Sequence, residues 1–129
     1  MQAYDIQFLI NRMNAEMQRV RMTTQMTLGK IIDRLTQMPP KTMIDAIEYP
    51  HSYRGYYCDL AFERGEGRML ASDALILCKD AMGEIFEGYK GGDYQMGRNT
   101  PVWIADYGSC GQKIVNVLDD GSFELENDE

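Results

Sequence analysis

The chain has 129 residues, 44% of them hydrophobic and 26% charged, with a net charge of −7. One domain of that length removes roughly two-thirds of its unfolded surface from water, enough for a core that needs no disulfide or metal staple. Asp119, Asp120, Glu124, Glu126, Asp128 and Glu129 supply six of the negatives with no base among them, so the body of the chain is near neutral and a basic groove for nucleic acid is excluded.

Cys58, Cys78 and Cys110 are odd in number and far apart. They signal neither a disulfide framework nor a zinc site, and they fit a reducing cytoplasm. Asp5, Arg12, Glu16 and Arg19 interrupt the first twenty residues, which excludes the apolar region of a signal peptide; the longest apolar run, Ala74–Cys78, is too short for a bilayer. The expectation is a soluble, unexported protein of a single domain, residues 1–129, with no membrane partner, no nucleic-acid partner, no cofactor and no metal.

Ile6, Leu9, Ile10, Met13, Met17 and Val20 recur at spacings of three and four, which predicts an amphipathic helix within residues 1–22. Its narrow, Met-rich stripe packs on the same domain or on a second copy, because a seam at nearly heptad spacing is what paired helices bury. Thr27 is placed to cap a second helix carrying Leu28, Ile31, Ile32 and Leu35, which Pro39 and Pro40 stop. Thr42–Ile47 reads as a strand and His51–Gly55 as a loop. From Tyr56 to Glu63 apolar and polar residues alternate, the pattern of a half-buried strand. Gly65 and Gly67 suggest a further loop, and Ser72 is a natural N-cap for a third helix that Gly83 ends. Short strands at Glu84–Phe86 and Asp93–Met96 precede a longer one at Pro101–Tyr107. Ile114–Leu118 and Ser122–Leu125 flank Asp120 and Gly121, the strongest hairpin signal in the chain. Short connections dictate a mainly antiparallel sheet. The expected class is α+β, with the N-terminal helices and one middle helix packed on that sheet.

Two stretches carry the chemistry. Gly88–Gly111 holds six glycines, three tyrosines and the only tryptophan, and Tyr49–Phe62 holds four tyrosines, Arg54 and the single histidine, His51. Glycine lets backbones turn and approach closely, while aromatic faces beside fixed cations make the kit for an anionic nucleotide: base stacked, phosphate paired, edge hydrogen-bonded. On that reading the two stretches are halves of one ligand site. Phe86, Tyr89 and Tyr56 stack, Arg54, Lys90 and Arg98 meet phosphates, and Asn99 and His51 read polar edges. The plainer reading makes the tyrosines sheet residues and the arginines solvated. GYKGG lacks the spacing of a phosphate loop and does not run into a helix. Cys110, His51 and Asp106 offer the residue types of a cysteine hydrolase, but GSCG matches no nucleophile motif.

The strings PHSYRGYYCDLAFE (Pro50 to Glu63) and FEGYKGGDYQMGRNTPVWIADYGSCG (Phe86 to Gly111) resemble a family of short proteins encoded by tailed bacteriophages and prophages; the likeness covers about residues 27 to 115. In size, helix-then-sheet order and aromatic and arginine strings the chain also looks similar to the Thoeris anti-defence sponges. These are oligomers that sequester cyclic ADP-ribose-type signals, and some also cyclic oligonucleotides, without cleaving them. The resemblance implies a non-enzymatic, homo-oligomeric immune-evasion protein of the host cytoplasm that binds such a signal. Two alternatives stay open beside it: an inhibitor that docks on a host or defence protein through the acidic end, residues 119–129, and a small hydrolase using Cys110 and His51.

Overall fold

The structure, a computed structural model, describes residues 9, 12–13, 16, 19–20, 23–53, 59–87, 93–107 and 110–127. Helix α1 (Leu28–Gln37) begins where its cap predicts, with the Thr27 hydroxyl accepting the Lys30 N–H at 3.3 Å. The Leu28 and Gly29 amides donate to the carbonyls of Thr100 (2.8 Å) and Arg98 (2.9 Å). The donors that a helix start leaves open are therefore met by the chain itself. Leu28, Ile31, Ile32 and Leu35 are all buried; at about 1.5–3 kcal/mol for each such side chain removed from water, this stripe is what holds α1 to the sheet. Upstream, Leu9, Arg12, Met13, Glu16, Arg19, Val20, Thr23 and Thr24 have helical backbone, as the periodicity predicts. Tyr4, Ile6, Ile10, Met17 and Arg21 lie outside the described residues.

In chain order there follow β1 (Met43–Ser52), β2 (Leu60–Leu70), α2 (Ala71–Ala81), β3 (Ile85–Glu87), β4 (Asp93–Gln95), β5 (Val102–Tyr107), β6 (Cys110–Val117) and β7 (Phe123–Asn127). Five strands form one sheet in the order β1-β2-β5-β6-β7, and β3 pairs with β4 in a separate antiparallel hairpin. The domain is α+β, and its main sheet is antiparallel except at β2–β5. That one parallel pair is permitted because residues 71–101, with α2 and the small hairpin, make a long enough crossover. Among the described residues, no helix is long and apolar enough to cross a membrane.

Four local expectations are corrected. His51 and Ser52 end β1 and are not loop, since they pair with Ala61 and Leu60. Gly65 and Gly67 lie inside β2: a Cβ on Gly65 would stand 2.8 Å from the Ala46 Cβ, so glycine there lets β1 press close at its bulge. Ser72 does not cap α2. The Ala71 and Ser72 amides find the Thr42 carbonyl (2.8 Å) and the Pro40 carbonyl (3.2 Å), which leaves a side-chain cap without work to do. Finally, the strand read as half-buried is buried on both faces at Leu60, Ala61 and Phe62, and only at Glu63 does it become partly exposed.

The sheet curls until its outer strands meet at one end. The Asp45 N–H donates to the Gly121 carbonyl and the Phe123 N–H to the Asp45 carboxylate, both at 2.9 Å. Arg68 donates to the Asp120 carbonyl (2.8 Å) and the Ser122 hydroxyl (3.1 Å). Arg34 of α1 reaches the same turn, bonding the Val117 carbonyl at 3.0 Å and pairing with Asp119. The Asp-Gly hairpin is thus also the clasp that joins β1 to the far edge. Inside the curl, α1 and α2 pack on Ile44, Leu60, Phe62, Val102, Ile104, Ile114 and Val117. Alternation along β2 and β5 then sends Ala61, Trp103 and Ala105 to the opposite face, where they form a second buried cluster with Tyr53.

Candidate functional site

That second cluster is where the two aromatic stretches meet. Ala61 and Trp103 are partners in the parallel register, and alanine at 61 and 105 leaves space above the sheet for two large rings. Tyr53 occupies it, stacked on Trp103 with ring centroids 4.0 Å apart and planes 5° from parallel. At that distance nothing fits between the rings. They form a closed, buried floor to this face, with no slot for a base between them. The Tyr53 N–H donates to the Asp59 carbonyl at 2.9 Å, and the indole N–H of Trp103 donates to the Asp59 carboxylate, also at 2.9 Å. Tyr53, Asp59 and Trp103 are each fully buried. A carboxylate taken out of water needs such donors, so Asp59 fixes the ring pair at the same time as the rings shield it.

Polar groups border this floor. His51 lies across the ladder from Ala61 and shares its face. Its Nε2 stands 3.1 Å from Glu63 Oε1 and its Nδ1 3.0 Å from the Ser52 carbonyl oxygen. Both ring nitrogens thus lie within hydrogen-bond distance of an oxygen of the same chain. Glu48 is the ladder partner of Glu63, and Lys113 of β6 is the partner of Trp103. Glu126 of β7 is in turn the ladder partner of Lys113, so the described part of the face carries one imidazole and one ammonium group within a rim that also holds three carboxylates.

The residues expected to form the site separate. Phe86 lies across from Tyr94 in the small hairpin, half-buried against the main core beneath the helices. Arg98 is drawn to α1 by an ion pair with Asp33 at 2.7 Å, its carbonyl holding the Gly29 amide. Asn99 is exposed in the same turn. These three sit on the α1 side of the sheet, whereas His51 is on the Tyr53–Trp103 side. Arg54, Tyr56, Tyr89 and Lys90 lie outside the described residues. Tyr53 and Trp103 belong to the two aromatic stretches but carry no assigned role in the sequence reading, and Asp59 and Lys113 carry none either. The alternation of Val102 to Ala105 could have found Trp103, but Lys113 faces it only through the β5–β6 register, which no local pattern carries.

Of the hydrolase candidates, His51 is engaged by Glu63 and the Ser52 carbonyl, while the side chains of Cys110 and Asp106 are outside the described set. Cys78 is buried in the main core, and burial pushes its thiol from 9.0 up to about 12, which makes it a packing residue and a poor nucleophile. Among the described residues no group of three or more His, Cys, Asp or Glu is placed to hold a metal. No family model, curated protein or solved structure matches the chain.

Proposed function

We propose that the chain is a non-enzymatic binding protein that sequesters an anionic, cyclic nucleotide-type signal over the Tyr53–Trp103 face, acting as a phage immune-evasion protein in the host cytoplasm. The observation that carries this reading is the 4.0 Å stack, which joins the two glycine- and tyrosine-rich stretches at one place. A floor that is buried, stacked and bonded to Asp59 is already ordered, so a ligand spends little of its binding energy on arranging it.

In this reading Tyr56 and Tyr89 provide outer rings, while Arg54, Lys90 and Lys113 meet phosphates. His51 contributes to polar recognition at the rim. Phe86, Arg98 and Asn99 stay on the α1 side and shape the fold. Stacking worth about 1–3 kcal/mol per base and charged hydrogen bonds worth about 1.5–3 kcal/mol each give a gross figure near 10 kcal/mol. That falls short of the roughly 12 kcal/mol of nanomolar binding, so tight capture requires a closed site.

The acidic-end alternative draws less support, because Asp119 is paired with Arg34 and Asp120 is engaged by Ser122 and Arg68 of the same chain. Calorimetric titration with a panel of cyclic mononucleotides, cyclic dinucleotides and cyclic ADP-ribose tests the proposal. Saturable heat with at least one member is expected, and Lys113→Glu weakens it at least tenfold. Silence across the panel from correctly folded protein rejects the sponge.

A further inference from the structure

Residues 3–24 fall into a heptad in which Ala3, Ile10, Met17 and Thr24 occupy the a positions and Ile6, Met13 and Val20 the d positions, with Leu9 beside them at g. In the structure Leu9, Met13 and Val20 are helical yet 45%, 61% and 62% exposed. Three large apolar side chains on one stripe are thus left in water by the chain's own domain. The stripe cannot simply fold back, because its root is bolted down: Gln25 Nε2 donates to the Val102 carbonyl (3.0 Å), the Met26 N–H to the Ile114 carbonyl (2.7 Å), and the Val102 N–H to the Met26 carbonyl (3.1 Å).

Charge identifies the occupant. In a parallel pair, a g residue meets the e′ residue five positions further along the other helix, and these pairs set partner and orientation. Glu16 is at g and Arg21 is at e, so two copies in register make the Glu16–Arg21 pair twice. An antiparallel pair sets g beside g′ and offers Glu16 only Gln2, Leu9, Thr23 or another Glu16. Glu16 also has Arg12 one turn back, at 3.8 Å and largely in solvent, so its carboxylate remains open to a second cation.

We infer that the N-terminal helix pairs in parallel with the same helix of a second copy, burying Leu9, Met13 and Val20 and fixing direction through reciprocal Glu16–Arg21 contacts. This stands apart from the ligand reading and does not fall with it. Sedimentation equilibrium over a concentration series should give about 30 kDa, twice the 14.8 kDa chain. The double variant Met13→Glu/Val20→Glu should sediment as a monomer with an unchanged circular dichroism spectrum in its folded domain. Glu16→Lys and Arg21→Glu should each weaken self-association about tenfold, the effect of reversing two exposed pairs. An equimolar mixture of these two variants should recover wild-type affinity, because each then offers the other an opposite charge. A wild-type monomer throughout, a double variant that still dimerises, or a mixture no tighter than its components overturns the inference.

Discussion

Replacing Gly121 by alanine sets two costs on one added atom. The backbone there has φ +88°, a left-handed conformation that costs an L-residue about 1–2 kcal/mol. The new Cβ would also lie 2.0 Å from the Met43 carbonyl oxygen and 2.9 Å from the Ile44 Cα, both backbone atoms that have no rotamer to escape into. Strand β1 must then draw away from the hairpin. That loosens the bond from the Asp45 N–H to the Gly121 carbonyl and the bond from the Phe123 N–H to the Asp45 carboxylate. At about 1 kcal/mol for the neutral bond and 1.5–3 kcal/mol for the charged one, the total is on the order of 4 kcal/mol, a large share of a typical domain's stability. Gly67→Ala is the control: its φ is +66° but nothing lies within 4 Å of the added atom, so only the conformational cost of about 1 kcal/mol remains. Urea denaturation followed by the emission of the single, buried Trp103 reads both variants. If Gly121→Ala costs no more than Gly67→Ala, the hairpin does not clasp β1 and the closed curl of the sheet is wrong.

Trp103→Phe removes the indole donor from the buried Asp59 carboxylate and should cost about 2 kcal/mol or more, measured by circular dichroism in urea. Burial raises the Cys78 thiol from 9.0 to about 12, so the folded chain keeps a proton that the unfolded chain releases above about pH 9. Its effect is absent below pH 9, and stability falls as pH climbs from 9 towards 12, by up to about 1.4 kcal/mol per pH unit. Cys78→Ala should flatten that slope relative to wild type. The Asp120 carboxyl is held below its ordinary value chiefly by the Ser122 backbone N–H, then by the Ser122 side chain, with Arg68 adding a smaller pull. Its contribution is present above about pH 3.8 and is lost as pH falls through the lower folded value, so Asp120→Asn should reduce the acid sensitivity of the urea midpoint. Arg98 and Asp33 are 59% and 57% exposed, and Arg98→Ala should change stability by less than about 1 kcal/mol. The same variant should leave ligand affinity within a factor of two, and a tenfold loss would put Arg98 back in the site.

What was legible in the sequence was local. The Thr27 cap, the α1 stripe, the glycine end of α2 and the Asp-Gly hairpin each depend on residues a few positions apart, and each stands where the pattern puts it. Errors arose where a distant segment supplied what the local signal promised. The cap of α2 comes from the Pro40 and Thr42 carbonyls, and Gly65 answers to Ala46 on another strand. The site shows the same division. Composition singles out both aromatic stretches, and the structure lays Tyr53 of one on Trp103 of the other, a contact that no local pattern carries. Tyr53 reaches Trp103 because β2 runs parallel to β5, and Arg98 goes to Asp33 because α1 starts beside its turn.

The most direct test of the account is recovery of the captured molecule. Purified protein is exposed to an extract of cells producing a cyclic nucleotide or cyclic ADP-ribose signal, washed, and heated, and the supernatant is read by mass spectrometry. The account predicts release of an intact, negatively charged nucleotide in proportion to protein, and none from a Tyr53→Ala/Lys113→Glu variant. An empty supernatant, a cleaved product, or equal release from that variant would contradict it.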